Sequence, residues 1–271
     1  MTHCRAQLYN LSESDLDTVV WRYLSFSKFV SMISYEALWF CRLSYLIDKF
    51  EGTLPRRTLE KTKTEEEKWK SFFTHPDHQR QIDEWSECNV QYGQSSTAVN
   101  CWFIGDDESE RMWREYVASS EGVAIRSTIR KLRESIYLPR DFSYIGRVNY
   151  VDLDEHEMTV YEGAQAHHRA FLKDHVQFKH EQELRIQTMN FRTDVCLDPL
   201  GRPLTHKELV AGGMNNFQEP GLHVQVKLDQ LFDTIVVAPN AQDWFFNLIQ
   251  HLQITAGINW QVRRSKFESA S

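Results

Sequence analysis

The 271-residue chain is 41% hydrophobic and 13% aromatic, enough apolar material for one large domain with its own core, which excludes disorder as the default state. A formal charge of −7 and a pI near 5.9 supply no chain-wide positive field, which argues against a non-specific nucleic-acid coat held by phosphate neutralisation. Its five cysteines, Cys4, Cys41, Cys88, Cys101 and Cys196, are widely spaced with no CxxC pair, which argues against a disulfide framework or a structural zinc site and points to a reducing compartment.

The opening MTHCRAQLYNLSESD has neither the basic start nor the apolar run of a signal peptide, and nowhere do about 18 apolar residues run together, so a cytoplasmic protein outside the membrane is expected. Val19, Val20, Trp21 and Tyr23 predict a first strand. Phe26, Phe29, Val30 and Ile33 then follow at helical spacing behind Ser25 as N-cap. ALWFC at Ala37 to Cys41 predicts a second strand, leading to a loop with Asp48, Phe50, Glu51 and Gly52. In that loop Asp48 and Glu51 are expected to accept backbone N–H bonds around a tight turn. Residues 56–87, strongly charged, predict a helical cover of one or two helices with Trp69, Phe72 and Phe73 on one side.

VNCWFI at Val99 to Ile104 predicts a strand, SERMWREYVA at Ser109 to Ala118 a helix, and GVAIRST at Gly122 to Thr128 another strand. The helix is expected to turn Met112, Trp113 and Tyr116 inward towards the strands of Trp21 and Trp39. Arg126, Arg130, Lys131 and Arg133 read as a solvated helix face. Strands are predicted over Gly146 to Val151 and Glu183 to Thr188, with a helix from Tyr161 to Val176 before the latter. Residues 194–221, with DPLGRP, GG and EPG, read as an exposed loop or lid. Strands at Leu222 to Val226 and Thr234 to Val237 and a helix carrying Phe245, Leu248, Ile249 and Leu252 complete the chain, with Gly257 as helix stop. The recurring helix-then-strand order predicts an α/β or α+β fold, a mixed central sheet flanked by helices in a single domain over 1–271.

GxGxxG, GxxxxGKS/T, HExxH and GxSxG are all missing from the sequence. His167 and His168 are adjacent, a spacing that a helix would splay, which makes them a poor metal pair, and no metal is expected. The sharpest local pattern is FKHEQELRIQ at Phe178 to Gln187: extended, it turns Phe178, Leu184 and Ile186 one way and Glu181, Glu183 and Arg185 the other. Such a face is either an outward salt-bridge ladder or a catalytic wall.

Six blocks, WRYLSFSKFVSMI, LWFCRLSYLIDKFEG, NCWFIGDDESERMWREY, GVAIRST, FKHEQELRI and IVVAPNAQDWF, occur in the order that marks an uncharacterised bacterial domain family, which the chain resembles over almost its whole length. A second resemblance is to ADP-ribosyltransferases, which cleave NAD at the nicotinamide ribosidic bond and pass ADP-ribose to an acceptor. Their arginine-serine-glutamate class is matched by Arg22 on an early strand, Ser127 and Thr128 ending a strand, and the E-x-E of Glu181 and Glu183; Ile129 departs from the Ser expected there.

That resemblance implies NAD as substrate, Glu183 stabilising an oxocarbenium-like ribose, Glu181 orienting or activating an acceptor macromolecule, Arg22 neutralising the pyrophosphate, and Tyr23, Tyr116, Ser127 and Thr128 completing the NAD site. Tyr23, Trp39 or Trp113 would stack a planar ring, and the setting implied is a toxin-like or phage-defence effector. On this reading Glu183→Gln leaves thermal stability nearly intact. Two other readings stay open: a metal-dependent nuclease or hydrolase using Asp48, Glu51, Glu181 and Glu183, and a non-catalytic sensor or interaction domain in which Glu181, Glu183 and Arg185 are structural ion pairs. Whether Arg22, Ser127 and Glu183 meet in one cleft discriminates among them.

Overall fold

A computed structural model describes residues 5–72, 75–117, 119–138, 143–189 and 219–267. After β1 (Gln7–Tyr9), β2 (Val19–Ser25) runs directly into α1 (Phe26–Tyr35), which buries Phe29 and Met32. Glu36 ends that helix in the left-handed region, φ 47°, and the chain returns as β3 (Ala37–Arg42). The charged stretch forms two helices, α2 (Arg56–Phe72) and α3 (Pro76–Ser96). Only Thr58 of α2 is buried, as its run of Glu and Lys dictates.

Next come β4 (Thr97–Ile104), α4 (Glu110–Tyr116), β5 (Gly122–Thr128), α5 (Ile129–Ser135), β6 (Ser143–Arg147) and β7 (Asn149–Val151). The single helix expected from Tyr161 to Val176 is instead α6 (Val160–Ala164), α7 (Ala166–Arg169), β8 (Leu172–Asp174) and α8 (His175–Phe178). Gln165, extended at φ −96° and ψ 114°, interrupts the helix, and β8 pairs in parallel with β7. Then follow β9 (Glu183–Met189), β10 (Gly221–Gln225), a helical turn at Leu228–Leu231, β11 (Thr234–Val237), a helix at Asp243–Ala256 stopped by Gly257 at φ 67°, and β12 (Gln261–Arg264). The expected loop or lid at 194–221 lies outside the described residues except for 219–221. No helix among the described residues is long and apolar enough to cross a membrane.

Among the described residues ten strands form one mixed sheet in the order β1-β6-β9-β4-β2-β5-β11-β12, with β3 pairing both β4 and β10. Period-two alternation sorts the side chains: Val20 and Leu24 of β2 join the larger core with Phe29, Leu132, Phe245 and Ile249, while Trp21 and Tyr23 join Met112 and Trp113 on the opposite face.

One edge of β4 positions everything that follows. Its far end pairs β2 at Val20–Ile104 and Trp21–Phe103, and its near end pairs β3 at Cys41–Val99 and Arg42–Ala98. Between these contacts the two strands splay apart beside Asn100, Cys101 and Trp102. Side chains replace the missing ladder bonds there: Arg22 donates Nη1 to the Cys101 carbonyl at 3.1 Å, and Asn100 donates Nδ2 to the Trp39 carbonyl at 2.8 Å.

Candidate functional site

The splayed strands open a cavity of about 650 Å³, lined by Arg22, Tyr23, Trp39, Cys101, Trp102, Phe103, Tyr116, Glu181, Glu183 and His223 among others. This lies within the roughly 300–1,000 Å³ of small-molecule sites, and its mainly apolar wall with a few convergent charges is typical of them.

Its floor is built on β9. Register sets Glu183 opposite Phe103 and Arg185 opposite Cys101, so these side chains share one face. Arg185, fully buried, donates Nε to Glu183 Oε1 at 2.8 Å and Nη2 to Glu183 Oε2 at 3.0 Å. Its outer edge grips both oxygens of Glu51, each at 2.7 Å, and Nη1 also donates to the Ala170 carbonyl at 2.7 Å. Such forked pairs are the geometry that guanidinium provides and ammonium does not. Lys173, on β8, donates to Glu181 and lies 3.4 Å from Glu183 and 3.5 Å from Glu51. The Tyr116 hydroxyl donates to Glu181 Oε1 at 2.9 Å.

These contacts fix the protonation states. Burial raises the Glu183 pKa, but the charges of Arg185 and Lys173 and hydrogen bonds from Arg185 and Cys101 outweigh it and hold the carboxyl at about 2. Burial likewise opposes the Lys173 charge, and the surrounding carboxylates overcome it and raise its pKa. Burial and the Glu181 charge drive the Tyr116 pKa upward, so its hydroxyl stays a neutral donor. Arg22 falls to about 10 through burial, against the pull of Cys101 and Glu183, and stays cationic at neutral pH.

The structure brings Arg22, Tyr23, Tyr116, Glu181 and Glu183 to one cavity. Tyr23 contributes its ring, because its hydroxyl accepts a bond from the Ser109 amide at 2.7 Å. Tyr116, expected to face inward, is 48% exposed, and only its hydroxyl end reaches the floor. Trp39 lines the cavity, whereas Trp113 is buried against Tyr23 with ring centroids 5.0 Å apart.

Ser127 and Thr128 lie elsewhere. Ser127 pairs with Val20 in the sheet and so faces the larger core, where its hydroxyl donates to the Leu231 carbonyl. Thr128 caps α5, its Oγ1 accepting from the Lys131 amide at 3.2 Å. The cavity therefore holds the Arg and Glu members of the transferase resemblance and not the Ser-Thr member.

Asp48 behaves as expected of a turn residue, Oδ1 accepting from the Phe50 amide at 2.9 Å. Glu51 does not: it is buried beneath the cavity on Arg185. Its loop is held from both sides by Gln94 Nε2 on the Glu51 carbonyl at 2.7 Å and Arg169 Nε on the Gly52 carbonyl at 3.1 Å. Gly52 sits at φ +73°, where a Cβ would also lie 2.7 Å from Leu43, so glycine is required. His167 stacks on Tyr144 at 4.4 Å and His168 takes a hydrogen bond with Tyr9 at 3.0 Å, an aromatic cluster of the β1–β6 edge.

The chain matches no family model and no curated relative.

Proposed function

We propose that the cavity consumes NAD, releasing nicotinamide and passing ADP-ribose to an acceptor macromolecule. One observation carries this reading: Arg22, Glu183 and the Tyr116–Glu181 pair converge on a single aromatic-walled cavity in which Glu183 is held ionised. In the reaction the ribosidic C–N bond breaks and its electron pair passes to the pyridinium nitrogen, leaving neutral nicotinamide. Positive charge then develops on the ribose, and Glu183, fixed by two bonds to Arg185, is an anion already in place that needs no reorganisation. The acceptor nucleophile forms the new bond to the ribose and loses its proton, which Glu181 is placed to receive while Tyr116 orients it.

The ion pairs required by the non-catalytic reading are present too, but a purely structural ladder gives no reason for Glu181 and Glu183 to line an open cavity. The metal-dependent reading gains nothing from Glu51, Glu181 and Glu183, whose negative charges are already compensated by Arg185 and Lys173, or from Asp48, which is a turn residue. The test is nicotinamide release from NAD by purified protein, with cell lysate as acceptor source and with or without chelator. Chelator-insensitive release with label transferred to a macromolecule is expected. Absence of both release and label contradicts the proposal, and chelator-sensitive cleavage of RNA or DNA favours the nuclease.

A further inference from the structure

We propose that Lys28, flanked by Ser27 and Ser31 on α1, forms an anion subsite on the cavity rim that takes the diphosphate of the substrate, so that the protein selects dinucleotides over unphosphorylated nucleosides. This rests on the NAD reading and deepens it. All three residues line the same cavity as Glu181 and Glu183. Lys28 is exposed and, among the described residues, has no ion-pair partner, whereas Lys61, Lys68, Lys131 and Lys266 each hold a carboxylate. Burial raises the Cys41 thiol pKa while the Lys28 charge pulls it down, which places the ammonium within electrostatic reach of β3, the strand that bounds the gap.

Arg22, the phosphate partner that the sequence suggests, is committed deeper in: it donates to the Cys101 carbonyl, lies 5.8 Å over the Trp102 ring and is drawn to Glu183. The cavity is thus polarised, with carboxylates at the floor and an uncommitted cation at the rim. A ligand with a cationic ring at one end and a diphosphate further along matches that polarity, and a nucleoside without the diphosphate leaves the rim cation unmatched.

The experiment measures binding of ADP-ribose, inorganic diphosphate and nicotinamide riboside by calorimetry to wild type, Lys28→Ala, Lys28→Glu and Lys28→Arg, with melting temperature as the fold control, alongside the KM for NAD. Expected are a roughly tenfold weaker ADP-ribose Kd in Lys28→Ala, a larger loss in Lys28→Glu, recovery in Lys28→Arg, and no change for nicotinamide riboside. Lys28-dependent binding of inorganic diphosphate without nicotinamide release upholds the subsite and removes the NAD reading. Nicotinamide release with ADP-ribose Kd and KM unchanged in Lys28→Glu overturns the subsite and leaves the NAD reading standing. Wild type that binds neither ADP-ribose nor diphosphate overturns the subsite outright.

Discussion

Glu183 meets the guanidinium of Arg185 through both oxygens, and that pairing has a measurable cost when broken. Its folded pKa of about 2, against an ordinary 4.5, is a depressed carboxylate. Its stabilising contribution is therefore complete above the unfolded pKa and is lost as pH falls from about 5 towards 2. The expected outcome in denaturant titrations across that window is a steep loss of wild-type stability that Glu183→Gln, already lacking the charge, shows less. The same geometry argues against the expectation that Glu183→Gln leaves stability intact: the substitution removes one of the two carboxylates that Arg185 holds, leaving that buried charge on Glu51 and the Ala170 carbonyl, and should cost on the order of 2 kcal/mol at neutral pH. Tyr116 is the contrasting case, because about half of the residue is exposed and it meets Glu181 through its hydroxyl alone. Tyr116→Phe should leave the melting temperature almost unchanged and lower ADP-ribose transfer roughly tenfold, read by label incorporation. An unchanged transfer rate would remove Tyr116 from the site.

Within elements, alternation makes part of the β9 face legible: Glu183 and Arg185 do lie opposite Leu184 and Ile186, whereas Phe178 ends α8 and is not on the strand. The strand begins only at Glu183, however. Glu181 belongs to a 3-10 turn ended by Gln182 at φ 39°, and it meets Glu183 through Lys173 rather than along a strand, which periodicity does not reveal. Lys173 carries no local signal, because its segment has helical composition and is pinned extended by β7. Pairing with Val20 turns Ser127 to the core, a consequence of register that the strand's own sequence does not carry; the position of Thr128 before IRKLRE is a legible N-cap signal. For α4 the stripe reading succeeds at Met112 and Trp113, both buried. Trp113 also donates Nε1 to Glu108 at 3.0 Å, a buried carboxylate that accepts from Ser265 and Lys266 too. Trp113→Ala should therefore cost about 3–5 kcal/mol in chemical denaturation, and a cost below about 1 kcal/mol would show that this side of the sheet is not built around it.

Over the whole molecule, the mixed sheet with flanking helices follows from hydrophobic periodicity, but the cavity follows from a topological event that periodicity does not encode. β2 and β3 compete for one edge of β4 and each takes one end, leaving the middle open. The floor depends on Glu51 and Arg185, 134 residues apart in sequence, and nothing local in either segment announces the pairing. The NAD-consuming reading is tested most directly by the rate of nicotinamide release from NAD, with an acceptor source, by wild type and by Glu183→Gln, both shown to be folded at the assay temperature. It predicts release by wild type and a fall of at least about 100-fold in the variant, the loss of a group that stabilises charge only in the transition state. Equal rates in folded wild type and variant, or no release by wild type, would contradict it.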